Sequence, residues 1–275
     1  MSDHVEKFKQ LISEIAEGGT RYTVFNDFCK LTALSIAQKL NFNQQRENLY
    51  LEIVNKYPRE SVFKFVEMFW ELTAALNDCI AEKVLRVNCP PLEAEGINLQ
   101  LPLNCQKPQY QDVLGEIFTE FNLTDTKDGQ VFTPAHIGEI MGALTLSEDY
   151  AWSEIKRQGF ILVKENCCGS GAITLGALNR LLELGISPNY QTLVIASDID
   201  ERCVYMCYVQ LSLYGIPAVV LHQNNISDEI YSEWYTPLFA SNPLFKNFDW
   251  RSAGYVSEKQ RPNNGDSQGG LFDDT

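Results

Sequence analysis

The sequence predicts a mixed α/β fold in which a parallel sheet follows an N-terminal helical domain. From residue 160 onward, short apolar runs alternate with amphipathic stretches, as in parallel strands joined by crossover helices. Before that, apolar side chains recur at helical spacing, as in Val5, Phe8, Leu11, Ile12 and Ile15. The chain of 275 residues is long enough for both regions.

Composition divides the chain into four parts. Helical periodicity covers residues 1–88, and a segment rich in Pro, Asn and Gly follows, so we expect residues 89–109 to be a connector. Residues 110–250 form the predicted α/β domain. Residues 251–275 are polar with few apolar side chains, which predicts a flexible tail.

Within residues 110–250 the elements follow from the apolar pattern. A helix is expected over 110–121, and Pro134 suits the first turn of a helix that continues to about residue 144. Strands are then expected at 160–164, 192–197 and 217–222, with helices at 172–184 and 201–213 between them.

Charge and cysteine content argue against unaided DNA binding, a metal site and disulfides. A chain with a formal charge of −14 is not expected to bind DNA phosphates without a basic partner. The eight cysteines show no C-x-x-C spacing and only three histidines accompany them, so neither a metal site nor disulfides are expected. The chain has no apolar run near the roughly 20 residues of a membrane span, and we expect a cytoplasmic protein.

A small, glycine-rich turn lies between the first predicted strand and its helix. It contains Asn166, Cys168, Gly169, Ser170 and Gly171. Such a turn aims backbone N–H groups and the positive end of a helix at one spot, where a nucleotide-like cofactor binds. Glycine here can also serve only to turn the chain tightly.

Two further residues extend this predicted site. Asp198 ends the second predicted strand, where a carboxylate can accept hydrogen bonds from ribose hydroxyls. Asp200 is interpreted as a helix N-cap. Cys167 and Cys168 are either reactive thiols or small residues that pack the turn, and we favour packing.

Three segments in this order resemble the adenine-N6 DNA methyltransferases, and most closely the modification subunits of type I restriction systems. Residues 129–134 (GQVFTP) are similar to a family segment that contacts the methionine end of S-adenosyl-L-methionine, which implicates Phe132, Thr133 and Pro134. Residues 166–171 resemble the family's cofactor loop. The third segment is 197–200 with 214–216, where Asp198 matches the acidic strand end.

The resemblance implies a Rossmann-like methyltransferase sheet that binds S-adenosyl-L-methionine. Asn225 stands near the position where the family often carries an acidic residue, and it is expected to contact the adenine ring of the cofactor. The family's catalytic loop is matched by Asn242, Pro243 and Phe245, although Leu244 replaces its second proline. In that loop the Asn and Pro oxygens orient the adenine N6 group, and the aromatic ring stacks on a flipped base.

The expected function is S-adenosyl-L-methionine-dependent DNA adenine-N6 methylation, with a specificity or restriction subunit as partner for recognising DNA. Few residues follow the candidate catalytic loop, so we expect the sheet to be truncated. The alternative is a catalytically degenerate cofactor-binding or DNA-binding protein of a mobile element. Asn242 would then mark only a surface turn.

Overall fold

A computed structural model of the chain describes residues 3–16, 19–84, 110–121, 133–245 and 248–251. The predicted connector 89–109, Phe132 and residues 252–275 of the predicted tail lie outside these ranges.

The N-terminal region is helical, as predicted. Its helices are α1 (Asp3–Ile15), α2 (Arg21–Leu40), α3 (Gln44–Val54) and α4 (Arg59–Val84). The side chains of Thr20 and Asn43 accept hydrogen bonds from backbone N–H groups in the first turns of α2 and α3. These caps determine where the two helices begin, because they satisfy N–H groups that have no partner within the helix.

Three further helices lead to the sheet: α5 (Val113–Glu120), α6 (Ala135–Thr145) and α7 (Glu148–Gln158). The first two confirm the helices predicted at 110–121 and 134–144. Asp112 caps α5 and Ser147 caps α7 through their side-chain oxygens. The chain leaves α7 through Gly159 at φ 87°, a left-handed conformation that glycine adopts without a steric penalty.

The remaining elements form an α/β unit. In chain order they are β1 (Ile161–Glu165), α8 (Ala172–Glu183), α9 (Pro188–Gln191), β2 (Thr192–Asp198), α10 (Glu201–Leu213), β3 (Ala218–Asn224), β4 (Glu229–Tyr235) and α11 (Pro237–Ser241). The strand order is β1-β2-β3-β4. Strands β1, β2 and β3 are parallel, as predicted, whereas β4 returns antiparallel to β3 and was not predicted.

Apolar side chains cover both faces of this sheet, which explains why the strands are apolar along most of their length. On one face, Val194 and Val220 belong to a core that continues through α8 and α10 into the N-terminal helices. On the other face, Leu193 and Val219 pack with aromatic side chains from residues 239–250. The helical region and the α/β unit therefore share one continuous core.

In the part of the chain that the structure describes, no helix is both long enough and apolar enough to cross a membrane.

Candidate functional site

The loop between β1 and α8 has the backbone shape that its glycines suggested. Gly169 and Gly171 have φ values of 53° and 111°, both in the left-handed region. The Gly171 N–H donates to the carbonyl oxygen of Cys168 at 2.8 Å, and the Cys168 N–H donates to that of Ser197 at 3.0 Å. The loop is thus folded back on itself and tied to the end of β2.

Asp198 lies against this loop. Its Oδ2 accepts a hydrogen bond from the Gly169 N–H at 2.9 Å, and its Oδ1 accepts one from the Asp200 N–H at 2.9 Å. Burial raises the pKa of this carboxyl above its usual range, although the backbone N–H groups act in the opposite direction. The Ile199 N–H also bonds to this carboxylate, which has about four acceptor positions, so Asp198 retains capacity for one hydrogen bond from a ligand.

Asp200 is the N-cap of α10, as predicted. Its side chain accepts a hydrogen bond from the Arg202 N–H and also pairs with the Arg202 guanidinium. Its role is to begin the helix.

Asn225 and Asn166 meet at the same edge of the sheet. The Asn225 side chain accepts a hydrogen bond from the Ser197 hydroxyl at 2.9 Å and donates one to the carbonyl oxygen of Asn166. Asn225 follows β3 and Asn166 follows β1, so the carboxyl ends of all three parallel strands contribute to one cluster.

The Ser170 hydroxyl points into the protein. This side chain is 1% exposed, and its Oγ donates to Oδ2 of Asp112 at 2.5 Å. The hydroxyl of Ser170, a predicted cofactor-binding residue, therefore bonds inward to the N-cap residue of α5.

The paired cysteines of the loop differ from each other. Cys168 is buried against Cys207, as expected for a packing residue, whereas Cys167 is exposed, contrary to the expectation for both. The pKa of Cys168 is raised by the neighbouring Cys207 thiol and by burial, and that of Cys167 by burial and nearby carboxylates. Raised values disfavour the thiolate, so neither has the character of a reactive cysteine.

Helix α6 lies on α8 at backbone contact. A Cβ added to Gly138 would lie 2.4 Å from the carbonyl oxygen of Ala172, and one added to Gly142 would lie 2.7 Å from that of Gly176. Both helices advance by four residues between these contacts and in the same direction. Helices α6 and α8 therefore run parallel.

This parallel packing carries the start of α6 to the glycine loop. Thr133 and Pro134 immediately precede α6, just as Gly171 immediately precedes α8. The positive ends of both helix dipoles consequently point toward the same edge of the sheet. The structure thus places Thr133 and Pro134 on the same side of the sheet as Gly171, at the carboxyl ends of the parallel strands.

The Asn242 loop lies elsewhere. Thr236, directly after β4, donates its N–H to the carbonyl oxygen of Ala218 at the amino end of β3. Leu244, further along, lies beside Gly159 at the amino end of β1. The loop therefore lies at the amino ends of the parallel strands, whereas the glycine loop lies at their carboxyl ends. With a rise of about 3.3 Å per residue along β1, the two loops are about 15 Å apart.

The local structure around Asn242 also differs from the expected strand end. Pro237 occupies the first turn of α11, and Asn242 is the residue that ends this short helix. Phe245 is 2% exposed and packs edge-on against Phe160, with ring centroids 5.1 Å apart. A ring held in this core is not available to stack on a base. Asn242, Pro243 and Phe245 are therefore not brought together with the cofactor loop.

Sequence reasoning missed Asp112 and Gln210, the polar partners of Ser170. Asp112 could have been recognised as the N-cap that starts the helix predicted within residues 110–121. Gln210 stands among the buried residues of α10, where a polar side chain requires a partner.

Comparison with known proteins adds no assignment. No protein-family model matches the chain, and neither a curated protein nor a solved structure matches it. Within the described residues, no cluster of three or more His, Cys, Asp or Glu side chains is arranged to hold a metal ion.

Proposed function

We propose that this protein binds S-adenosyl-L-methionine at the carboxyl edge of β1, β2 and β3. The observation that carries the proposal is the 2.9 Å hydrogen bond between the Gly169 N–H and Asp198, which joins the glycine loop to the acidic strand end. Loop and acid lie together at the carboxyl ends of the parallel strands, where nucleotide-like ligands bind in α/β sheets.

The residues at this edge fit the chemistry of each part of the ligand. The remaining acceptor position of the Asp198 carboxylate suits a ribose hydroxyl. The aligned amino ends of α6 and α8 suit the methionine carboxylate, which is an anion. Asn225 offers an amide beside the expected adenine position. When bound, the ligand would supply an electrophilic methyl group on sulfur.

The substrate class proposed from the family resemblance is the exocyclic N6 of adenine in DNA, with a basic partner subunit that binds the DNA. The acidic chain supports the need for such a partner, because counterion release requires clustered Lys and Arg. Methyl transfer needs an orienting group next to the cofactor.

A second candidate is a cofactor-binding protein that does not transfer the methyl group by itself. The position of Asn242 favours it, because this residue lies at the far edge of the strands and Phe245 is buried in the core. Both candidates share the same cofactor site, and the geometry of the described residues supports the binding step more strongly than the transfer step.

Cofactor binding is tested by calorimetric titration of the full chain with S-adenosyl-L-methionine. We expect micromolar affinity in the wild type and a loss of at least about tenfold in Asp198→Ala, the equivalent of one charge-assisted hydrogen bond. Asp149→Asn, an exposed change in the first turn of α7, is the matched control. No binding by the wild type would defeat both candidates.

Methyl transfer is tested separately. The protein is incubated with labelled cofactor and DNA, alone and with candidate partner subunits, and N6-methyladenine is measured. Product with a partner supports the methyltransferase, whereas binding without product in every combination supports the second candidate.

A further inference from the structure

We propose that Asp112 is a positioning residue that holds the glycine loop in its ligand-binding shape through Ser170 and Gln210. This inference rests on the proposed function and deepens it, because it names the group outside the site on which the shape of the loop depends.

The contacts form a closed network. Ser170 Oγ donates to Asp112 Oδ2 at 2.5 Å. Gln210 Nε2 donates both to Asp112 Oδ1 at 2.8 Å and to the carbonyl oxygen of Ser170 at 2.9 Å. The loop is therefore held at Ser170 by its side chain and by its backbone at once.

Burial makes this network stiff. Asp112, Ser170 and Gln210 are 5%, 1% and 0% exposed. Hydrogen bonds shielded from water are stronger than exposed ones, and a fully paired buried network favours a single arrangement. The glycines on either side of Ser170 have no side chains to hold them, so Ser170 anchors the centre of the loop.

Gly115 of α5 leaves space for the side chains of Asp112 and Ser170. A Cβ added to Gly115 would lie 2.2 Å from Asp112 Oδ2 and 2.3 Å from Ser170 Oγ. The Gly115 N–H in turn donates to Asp112 Oδ1 at 3.0 Å. The two side chains thus lie directly on the helix backbone, with no room for a larger residue at position 115.

The other end of α5 is fixed to the helical region. The Phe118 ring lies 5.7 Å from that of Phe25 in α2, and Glu120 pairs with Lys9 of α1 at 2.5 Å. Asp112 therefore projects from an element that is itself held in place, which is what a positioning residue needs.

The first experiment measures amide hydrogen exchange of residues 166–171 in the full chain without ligand. We expect Ser170→Ala and Asp112→Ala each to speed this exchange at least about tenfold, while β2 keeps its rate. Ser170→Ala leaves the cap of α5 intact and so remains informative if Asp112→Ala does not fold. The double variant should exchange no faster than the stronger single one, because both changes break the same link.

Asp112→Asn is the conservative control. Its amide can accept from Gly115 and Gln210 through oxygen and donate to Ser170 through nitrogen, so loop exchange should stay within about threefold of wild type. Gly115→Ala should instead loosen the loop, because the added methyl group displaces both side chains.

The second experiment titrates the same variants with S-adenosyl-L-methionine. We expect Ser170→Ala and Asp112→Ala to weaken binding about tenfold and Asp112→Asn to weaken it less than about threefold. Wild-type exchange at residues 166–171 in Ser170→Ala would overturn the positioning role. If the loop loosens as expected but the wild type binds no ligand, the positioning role holds and the proposed function fails.

Discussion

The contact between α6 and α8 allows a quantitative prediction for Gly176→Ala. The added Cβ would lie 2.1 Å from the carbonyl carbon of Gly138, 2.3 Å from its oxygen and 2.7 Å from the Glu139 nitrogen. All three are backbone atoms, so no side-chain rotation can relieve the overlap. Ordinary carbon contacts are about 3.5 Å or longer, so the helices must separate by about 1.4 Å.

Two effects of opposite sign determine the size of the change. Alanine is favoured over glycine in a helix interior by about 0.5–1 kcal/mol. Overpacking of a tight contact costs about 1–3 kcal/mol. Because the overlap is with backbone atoms, the overpacking cost should lie in the upper half of this range, and we expect Gly176→Ala to lower the free energy of unfolding by about 1–2.5 kcal/mol. Separation of the helices also shifts the start of α6 relative to the start of α8, so cofactor affinity should fall.

The free energy of unfolding is measured by urea denaturation, followed by far-UV circular dichroism, and affinity by titration with S-adenosyl-L-methionine. Gly19→Ala is the control, because an added Cβ there meets nothing within 4 Å. A Gly176→Ala variant as stable as the wild type, or more stable, would show that α6 does not lie on α8 at backbone contact.

Three further predictions concern Phe245, Asp198 and Asp112. Phe245→Ala should lower the free energy of unfolding by about 3–5 kcal/mol in urea denaturation, as expected for a core aromatic ring; no loss would mean that the ring is free to stack on a base. Asp198→Asn should weaken cofactor binding in calorimetry at neutral pH. Because burial raises the Asp198 pKa, wild-type affinity should also fall as pH is lowered through that pKa, and a pH-independent affinity would contradict the role of Asp198. Burial likewise raises the pKa of Asp112 above its value of about 3.9 in the unfolded chain, so the folded state favours the protonated carboxyl. The contribution of this proton to the free energy of unfolding should therefore be lost as pH rises from about 3.9 through the folded pKa. Asp112→Asn should remove this loss from a pH series of urea melts, whereas Asp149→Asn, which changes an exposed acid in the first turn of α7, should leave it in place.

The parallel strands could be predicted from sequence because each is a short apolar run followed by a helix with its own periodicity. The structure places the ends of β1, β2 and β3 within two residues of the predicted limits. Gly169 and Asp198 could also be predicted as neighbours, because the carboxyl ends of adjacent parallel strands meet at one edge.

The remaining features depend on contacts between distant residues. Strand β4 has mixed polarity and is defined by its pairing with β3, so local pattern did not indicate it. Asn242 resembled a catalytic residue by its neighbours in sequence, but its place in the fold depends on the reversal of chain direction in β4. The inward turn of Ser170 depends on Asp112, which is 58 positions away along the chain.

The glycine contact between α6 and α8 has a consequence for sequence variation. Because backbone meets backbone there, the placement of α6 does not depend on the identity of its outward-facing side chains. Ile140 and Leu144 are 52% and 77% exposed on that outer side. Exchanging them for polar residues should alter solubility and association while the geometry beside Asp198 stays the same, so the outer surface of this helix and the ligand edge are free to change independently.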